Sequence, residues 1–371
     1  MECRSPTASA DAGLLAADLE RIGLDAGLAA VGIATADVFC DTRAVLYTRR
    51  AEGLHGGMQF TYRNPDRSTD PGRILDGARS LVVGAWGYRR ADRGADVTPG
   101  RPQGEVASYA RYDHYGSLRT ALGRVADRIR ADGWRATVVV DDNALVDRAA
   151  AHRAGLGWFG RNTLLLLPGL GSWFVLGSVV TDAPLEPTAP TGPSGPAEGC
   201  GTCQRCRTAC PTGALVADGV LDARRCLAWL VQAPGSFPVE HRVALGSRIY
   251  GCDECQVVCP INRAADRRVP PTGAEPGTVA SVDLLALLDA SDEELLAAHG
   301  RWYIAGRDPR HLRRNALVAL GNVGDGADPA TAAAVGRWAH SDDELLAEHA
   351  RWAAVRLGRA DLTDEPGSAP G

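Results

Sequence analysis

No lysine occurs among the 371 residues; all 40 basic side chains are arginine, a bias that coding composition explains without any demand of chemistry. Nor is there an excess of positive charge. The net charge of −5 excludes a uniformly basic surface for nucleic acid, although a local patch can still neutralise phosphates. No run of about 18 apolar residues is present to span a bilayer. The first residues, MECRSPTASADAG, carry neither an apolar signal core nor a twin arginine, so a cytoplasmic protein with no membrane partner is expected. What the sequence does have is length for two or three domains and ten cysteines.

The first 180 or so residues alternate helical and extended patterns, as an α/β domain does. Helices are predicted over Leu14–Gly23, Gly116–Ala131 and Leu145–Ala154. Strands are predicted over Ala29–Ala34, Ser80–Trp86, Ala136–Val140, Thr163–Leu167 and Trp173–Val180, the last two joined as a hairpin through Pro168-Gly169-Leu170-Gly171. The resulting division is an α/β unit over 1–183, a Pro/Gly/Thr-rich linker over 184–198, a cysteine-rich unit over 199–269 and a helical unit over 280–360. In the last unit Arg314–Gly321 and Arg351–Gly358 resemble each other, 37 residues apart; this offset is a little short for helical-pair repeats of the HEAT class.

Cys200, Cys203, Cys206 and Cys210, followed by Pro211, reproduce C-x2-C-x2-C-x3-C-P, the spacing by which bacterial ferredoxins hold [4Fe-4S] clusters. Cys252, Cys255 and Cys259 with Pro260 repeat its last three positions. Ile249 stands where a fourth cysteine would open the second motif, and Cys226 is the sole cysteine between the motifs to replace it. Exchanging the fourth cysteines, as two-cluster ferredoxins do, assigns one cluster to Cys200, Cys203, Cys206 and Cys259. The other takes Cys210, Cys226, Cys252 and Cys255. Two four-thiolate zinc sites are the alternative, disfavoured by the x3-C-P endings. Cys3 and Cys40 fall outside the pattern, Cys40 as a small core residue.

The motifs Val31-Gly-Ile-Ala34, Arg63-Asn-Pro-Asp-Arg67, Asp76–Val82, Asp141–Asn162, Gly171-Ser172, Tyr250–Asn262 and Arg314–Asn322 together resemble the epoxyqueuosine reductases of tRNA modification, over nearly the whole chain. This resemblance implies a nitroreductase-like α/β domain holding cobalamin, a two-cluster ferredoxin-like domain and an α-helical HEAT-like C-terminal domain that grips tRNA. It further implies that a flavodoxin- or ferredoxin-type donor passes electrons through the clusters to cobalamin, and that a monomer reduces epoxyqueuosine to queuosine at the wobble position. Asp141 matches the family's proposed general acid, with Asp142 a close competitor, and Arg67, Ala107, Asp141 and Leu165 match segments that approach the cofactor. Capping of the helix near Leu145, or pairing with Arg148, is the alternative role for Asp141. The chain lacks the DxHxxG motif of histidine-ligated cobalamin.

A reductive dehalogenase and a ferredoxin-type electron-transfer subunit are the competing readings. Tyr112, His114 and Tyr115 read as an aromatic helix start packed on the core. Arg301, Arg307, Arg310, Arg313 and Arg314 around Trp302 and Tyr303 read as phosphate contacts with a stacking ring for tRNA.

Overall fold

The computed structural model describes residues 7–88, 100–190, 192–193, 195–268 and 276–364; Cys3, Pro270–Glu275 and the tail beyond Asp364 lie outside them. The first unit runs α1 (Thr7–Asp25), β1 (Ala30–Thr35), α2 (Cys40–Ala51), β2 (Ser80–Gly87), β3 (Gln103–Val106), α3 (His114–Ala131), β4 (Ala136–Val140), α4 (Asp147–Arg153) and β5 (Phe174–Thr181). Four of these strands form a sheet in the order β1-β2-β5-β4, each neighbouring pair antiparallel.

Strand side chains alternate between faces, and here both faces are apolar. Leu81, Val83 and Ala85 pack with Phe39, Leu46 and Ala150, while Val82 joins Leu118, Leu122 and Ile129 on the opposite side. Helices therefore cover the sheet front and back. Gly84 and Gly177 are cross-strand partners, and a Cβ at either would press within 3.0 Å of a Leu122 methyl. The glycine pair is thus a notch that seats α3 on the sheet, and filling it with a fully buried leucine contributes about 2–5 kcal/mol.

The predicted hairpin through Pro168–Gly171 does not form. The chain does reverse there, with Leu167 N–H bonded to Gly171 O at 2.8 Å, but Leu165–Leu166 pairs back onto Trp158–Phe159. β5 is taken instead by β2 and β4, where Val179 and Val180 are completely buried; two partners in a covered sheet outweigh one local partner. The 184–198 segment is pinned at Thr188, whose N–H donates to Ile33 O and whose Oγ1 accepts from Ile33 N–H, both at 2.9 Å.

A second sheet ties the sequence regions together. β3 lies in its middle, parallel to β6 (Arg248–Tyr250) and antiparallel to β7 (Ser281–Asp283). Five helices follow: α5 (Leu284–Asp289), α6 (Asp292–His299), α7 (Arg310–Val323), α8 (Pro329–Ala339) and α9 (Glu344–Arg356). Four of their starts are set by side-chain caps, Asp283, Asp328 and Asp343 and a Ser291/Glu294 capping box. α7 is buried on every side from His311 to Gly321, as a central helix must be. The two similar stretches fall on α7 and α9, which meet where Gly321 leaves room for Trp352 and Ala353. Among the described residues no helix is long and apolar enough to cross a membrane.

Candidate functional site

All described cysteines are free thiols. The chain brings Cys206 and Cys259 into the electrostatic reach of Cys200 and Cys203. It brings Cys226 to Cys210, and Cys252 to Cys226. Cys255 lies against Cys226 and Cys252, and also feels Cys206 and Cys210, so the two quartets adjoin through it. Burial first, and repulsion from neighbouring sulfurs second, push the Cys206, Cys226 and Cys259 thiols up, Cys252 to about 11 and Cys255 well above the usual range. Thiols raised in this way are held as thiolates when a cationic metal centre binds them. Cys210 is the exception: burial raises it, but N–H groups from Thr212 and Ala214 outweigh that, the latter 3.2 Å from its sulfur.

Among the described residues no three His, Cys, Asp or Glu side chains sit closely enough to hold a single metal ion. Ile249 is fully buried in β6 with Leu284, so the position of the missing cysteine belongs to the core. Cys40, expected in the core, is exposed, because it opens α2 from its outer side.

The second cysteine loop is bolted to the first unit by buried amides. Asn262 Oδ1 accepts from Ser172 N–H at 2.8 Å, and Asn262 Nδ2 donates to Gln256 O at 2.9 Å. Gln256 Nε2 donates to Ser172 O at 2.9 Å. Gly171, at φ +66°, has no room for a Cβ, which would overlap Asn262 Oδ1.

Asp141 ends β4 at φ +51°, a strained position for a residue with a Cβ. Although the side chain reaches solvent, burial by the surrounding wall raises its carboxyl; Arg119 opposes this and Asp142 adds to it. Asp142 is otherwise engaged, its Oδ1 accepting from Ala144 N–H at 2.8 Å. Neither caps α4, whose N-cap is Val146 without a side-chain bond. Arg148 turns to Thr163 O at 2.9 Å, and Thr163 is itself held at φ +66°.

Sequence reasoning passed over Asp147. Burial and the charge of Asp141 raise its carboxyl well above the usual range, against the opposing Arg148, and its Oδ1 has no partner among the described residues. Tyr115 was read as packing alone, yet burial and the charges of Asp141 and Asp147 raise its phenol; Tyr250 likewise faces Asp141. His114 does pack on the core, 5.4 Å from the Tyr88 ring. Burial raises the Cys226 thiol, and Arg148 is near enough to oppose it. Arg148, on α4 just beyond the β4 tip, is thus within electrostatic reach of Cys226.

The other candidates divide. Arg67 donates to Asn143 Oδ1 at 3.3 Å, which sets it beside the Asp141 loop. Ala107 donates its N–H to Tyr250 O at 2.9 Å and touches Gly251, next to Cys252. The Leu165 side chain is committed to the core. A cavity of about 460 Å³ opens elsewhere, between α3 and Trp86, and none of the predicted residues line it.

The arginine cluster is mostly structural. Arg314 is fully buried and donates to the carbonyls of Leu230, Val231, Ala233 and Gly235. Arg313 pairs with Asp292, and Arg310 with Asp308 and Asp343. Trp302 is no stacking platform for a base: it is buried between Tyr250 and His299, with ring centroids 4.7 and 4.5 Å away. Arg301, Tyr303 and Arg307 face solvent.

Comparison with known proteins agrees with this geometry. The family model for a 4Fe-4S double cluster binding domain matches residues 199–262, so the chain is a mixed α/β redox protein with two [4Fe-4S] clusters. An epoxyqueuosine reductase of Lactococcus garvieae is 34% identical over 314 residues, 83% of this chain and 87% of the relative. The crystal structure of an epoxyqueuosine reductase with an epoxyqueuosine-modified tRNA-Tyr stem loop superimposes with a TM-score of 0.82 at 30% identity, covering 93% of this chain and 90% of the other. The Bacillus subtilis enzyme, solved with its aspartate catalytic loop swung out of the active site, gives 0.79 at 29% identity, covering 95% of each. The chain belongs to the epoxyqueuosine reductase family.

Proposed function

We propose that the chain reduces epoxyqueuosine to queuosine at the wobble position of tRNA, with Asp141 as the proton donor. The observation that carries this is that Arg148, in the segment that follows Asp141, lies within electrostatic reach of the Cys226 thiol, so the segment bearing an acid of raised proton affinity faces the cysteine-rich unit. Removing the epoxide oxygen as water takes two electrons and two protons; the clusters supply the first and carboxylic acids the second. Burial raises the Asp141 carboxyl, which favours the protonated form that can donate. The solved relative with a catalytic aspartate on a swinging loop supports assigning that role to the strained strand tip.

Cobalamin fits the same wall. The unpartnered Asp147 Oδ1 and the donors of Arg67 suit the amide arms of a corrin, with Ala107, Asp141 and Leu165 approaching it through backbone or carboxylate groups. When bound, it supplies the two-electron chemistry on the substrate carbon. The Cys210/Cys226/Cys252/Cys255 cluster is the inner one and the Cys200/Cys203/Cys206/Cys259 cluster the outer one, reduced by a flavodoxin- or ferredoxin-type donor.

Residues 1–183 form the nitroreductase-like cobalamin unit, 184–198 the connection, 199–269 the ferredoxin-like unit and 280–360 a HEAT-like unit. Arg301, Tyr303 and Arg307 meet the tRNA backbone, and the enzyme works as a cytoplasmic monomer. Anaerobic purification with iron and cobalt analysis, followed by turnover of an epoxyqueuosine-containing stem loop, tests the reading. Two clusters and one corrinoid without product would leave the cofactors and remove the substrate.

A further inference from the structure

Trp158 opens the short strand Trp158–Phe159 and is buried in a small cluster with Leu166 and Cys259, against which Cys200 and Ile261 pack. Gly199 lies so close to the indole nitrogen that a Cβ there would overlap it, and Gly192 faces the far edge of the ring. The indole is therefore fixed in orientation as well as buried. Its Nε1 has no acceptor among the described residues. An indole N–H can only donate, and a buried donor normally has a partner. The backbone N–H groups beside it are already spent, Gly199 on Gly195 O at 2.9 Å and Cys200 on Pro196 O at 3.0 Å.

We propose that the Trp158 indole N–H donates to a sulfur of the outer cluster, the one held by Cys200, Cys203, Cys206 and Cys259, and sets its reduction potential. This rests on the cluster assignment above. Reduction adds negative charge to the cluster sulfurs, so a fixed donor favours the reduced form and raises the potential. Trp158 is a positioning residue of the electron entry point: it makes the outer cluster easier to load than its thiolates alone would.

The test uses the anaerobically purified holoprotein. Reductive titration followed by EPR should show that Trp158→Phe, which keeps an aromatic ring but no donor, retains about eight irons. One cluster's reduction equilibrium should fall about tenfold, a drop of about 59 mV for a one-electron couple, while the other cluster stays where it was. Two unchanged potentials overturn the proposal. Where the variant loses iron, wild-type protein grown with 15N-indole tryptophan decides: pulsed EPR of the reduced outer cluster shows a 15N coupling if the bond exists, and its absence overturns it. Fewer than about eight irons in the wild type itself is a separate failure, that of the cluster assignment.

Discussion

The charge of Asp141 bears directly on Asp147, whose buried Oδ1 is unpartnered among the described residues and whose carboxyl is raised by burial and by that charge. When both cannot ionise together, Asp147 is the one that keeps its proton. Asp141 is the outer member, open to solvent, and Asp147 the inner one. Asp141→Asn should keep both clusters and lower turnover by about 10²–10⁴-fold. Because the protonated form is the active one, wild-type turnover should be full on the acid side and fall as pH rises through the raised Asp141 value. A flat profile would move the acid elsewhere.

Asp147 gives a stability prediction of unusual sign. Its folded proton affinity lies above the unfolded one, so its contribution is intact below the unfolded pKa and is lost as pH rises through the folded value. Asn cannot ionise, so Asp147→Asn should gain on the wild type as pH rises. Thermal melts from pH 5 to pH 9 would show the Tm gap widening toward the alkaline end.

Cys226→Ser should leave about four irons of eight, lost from the inner cluster. Adding Ile249→Cys should not restore them, because that side chain points into the core beside Leu284. Iron analysis with EPR of each variant checks both expectations, and recovery in the double variant would show that the motif position is accessible after all.

Gly169 and Gly171 separate backbone strain from collision. Both have positive φ, but a Cβ at Gly169 meets nothing within 4 Å while one at Gly171 overlaps Asn262 Oδ1. Gly169→Ala should destabilise by about 1–2 kcal/mol and keep its iron. Gly171→Ala should cost roughly 3 kcal/mol or more by breaking the Ser172–Asn262 lock, with weakened iron retention. Paired denaturation curves and iron counts make the comparison.

Arg314→Ala should destabilise by about 3–5 kcal/mol, since it strands four carbonyl acceptors in the core. Arg307→Ala should leave Tm unchanged and weaken stem-loop binding, with the salt dependence falling by about 0.7 per lost phosphate contact. Titrations at several salt concentrations distinguish them.

The double-cluster segment was legible because ligand spacing is a local property. The arginines of 301–314 were not, since a guanidinium serving carbonyls at 0% exposure and one awaiting phosphate look alike in sequence. The strand order at 165–181 was missed because the turn is local while the winning partners, β2 and β4, are distant. Asp147 was overlooked because its meaning lies in what surrounds it. The family likeness pointed to the Asp141 segment, and the Asx turn at Asp142 then separates the two neighbours.

β3 reaches its parallel partner, β6, across some 140 residues of chain, and its other neighbour, β7, is made later still. The four-stranded sheet has every strand it needs by Thr181, but Gln103–Val106 must wait through synthesis with both edges open. Only when the ribosome has passed residue 283 can that strand be enclosed on both sides. A chain truncated halfway therefore carries an unpaired, aggregation-prone edge instead of a working half.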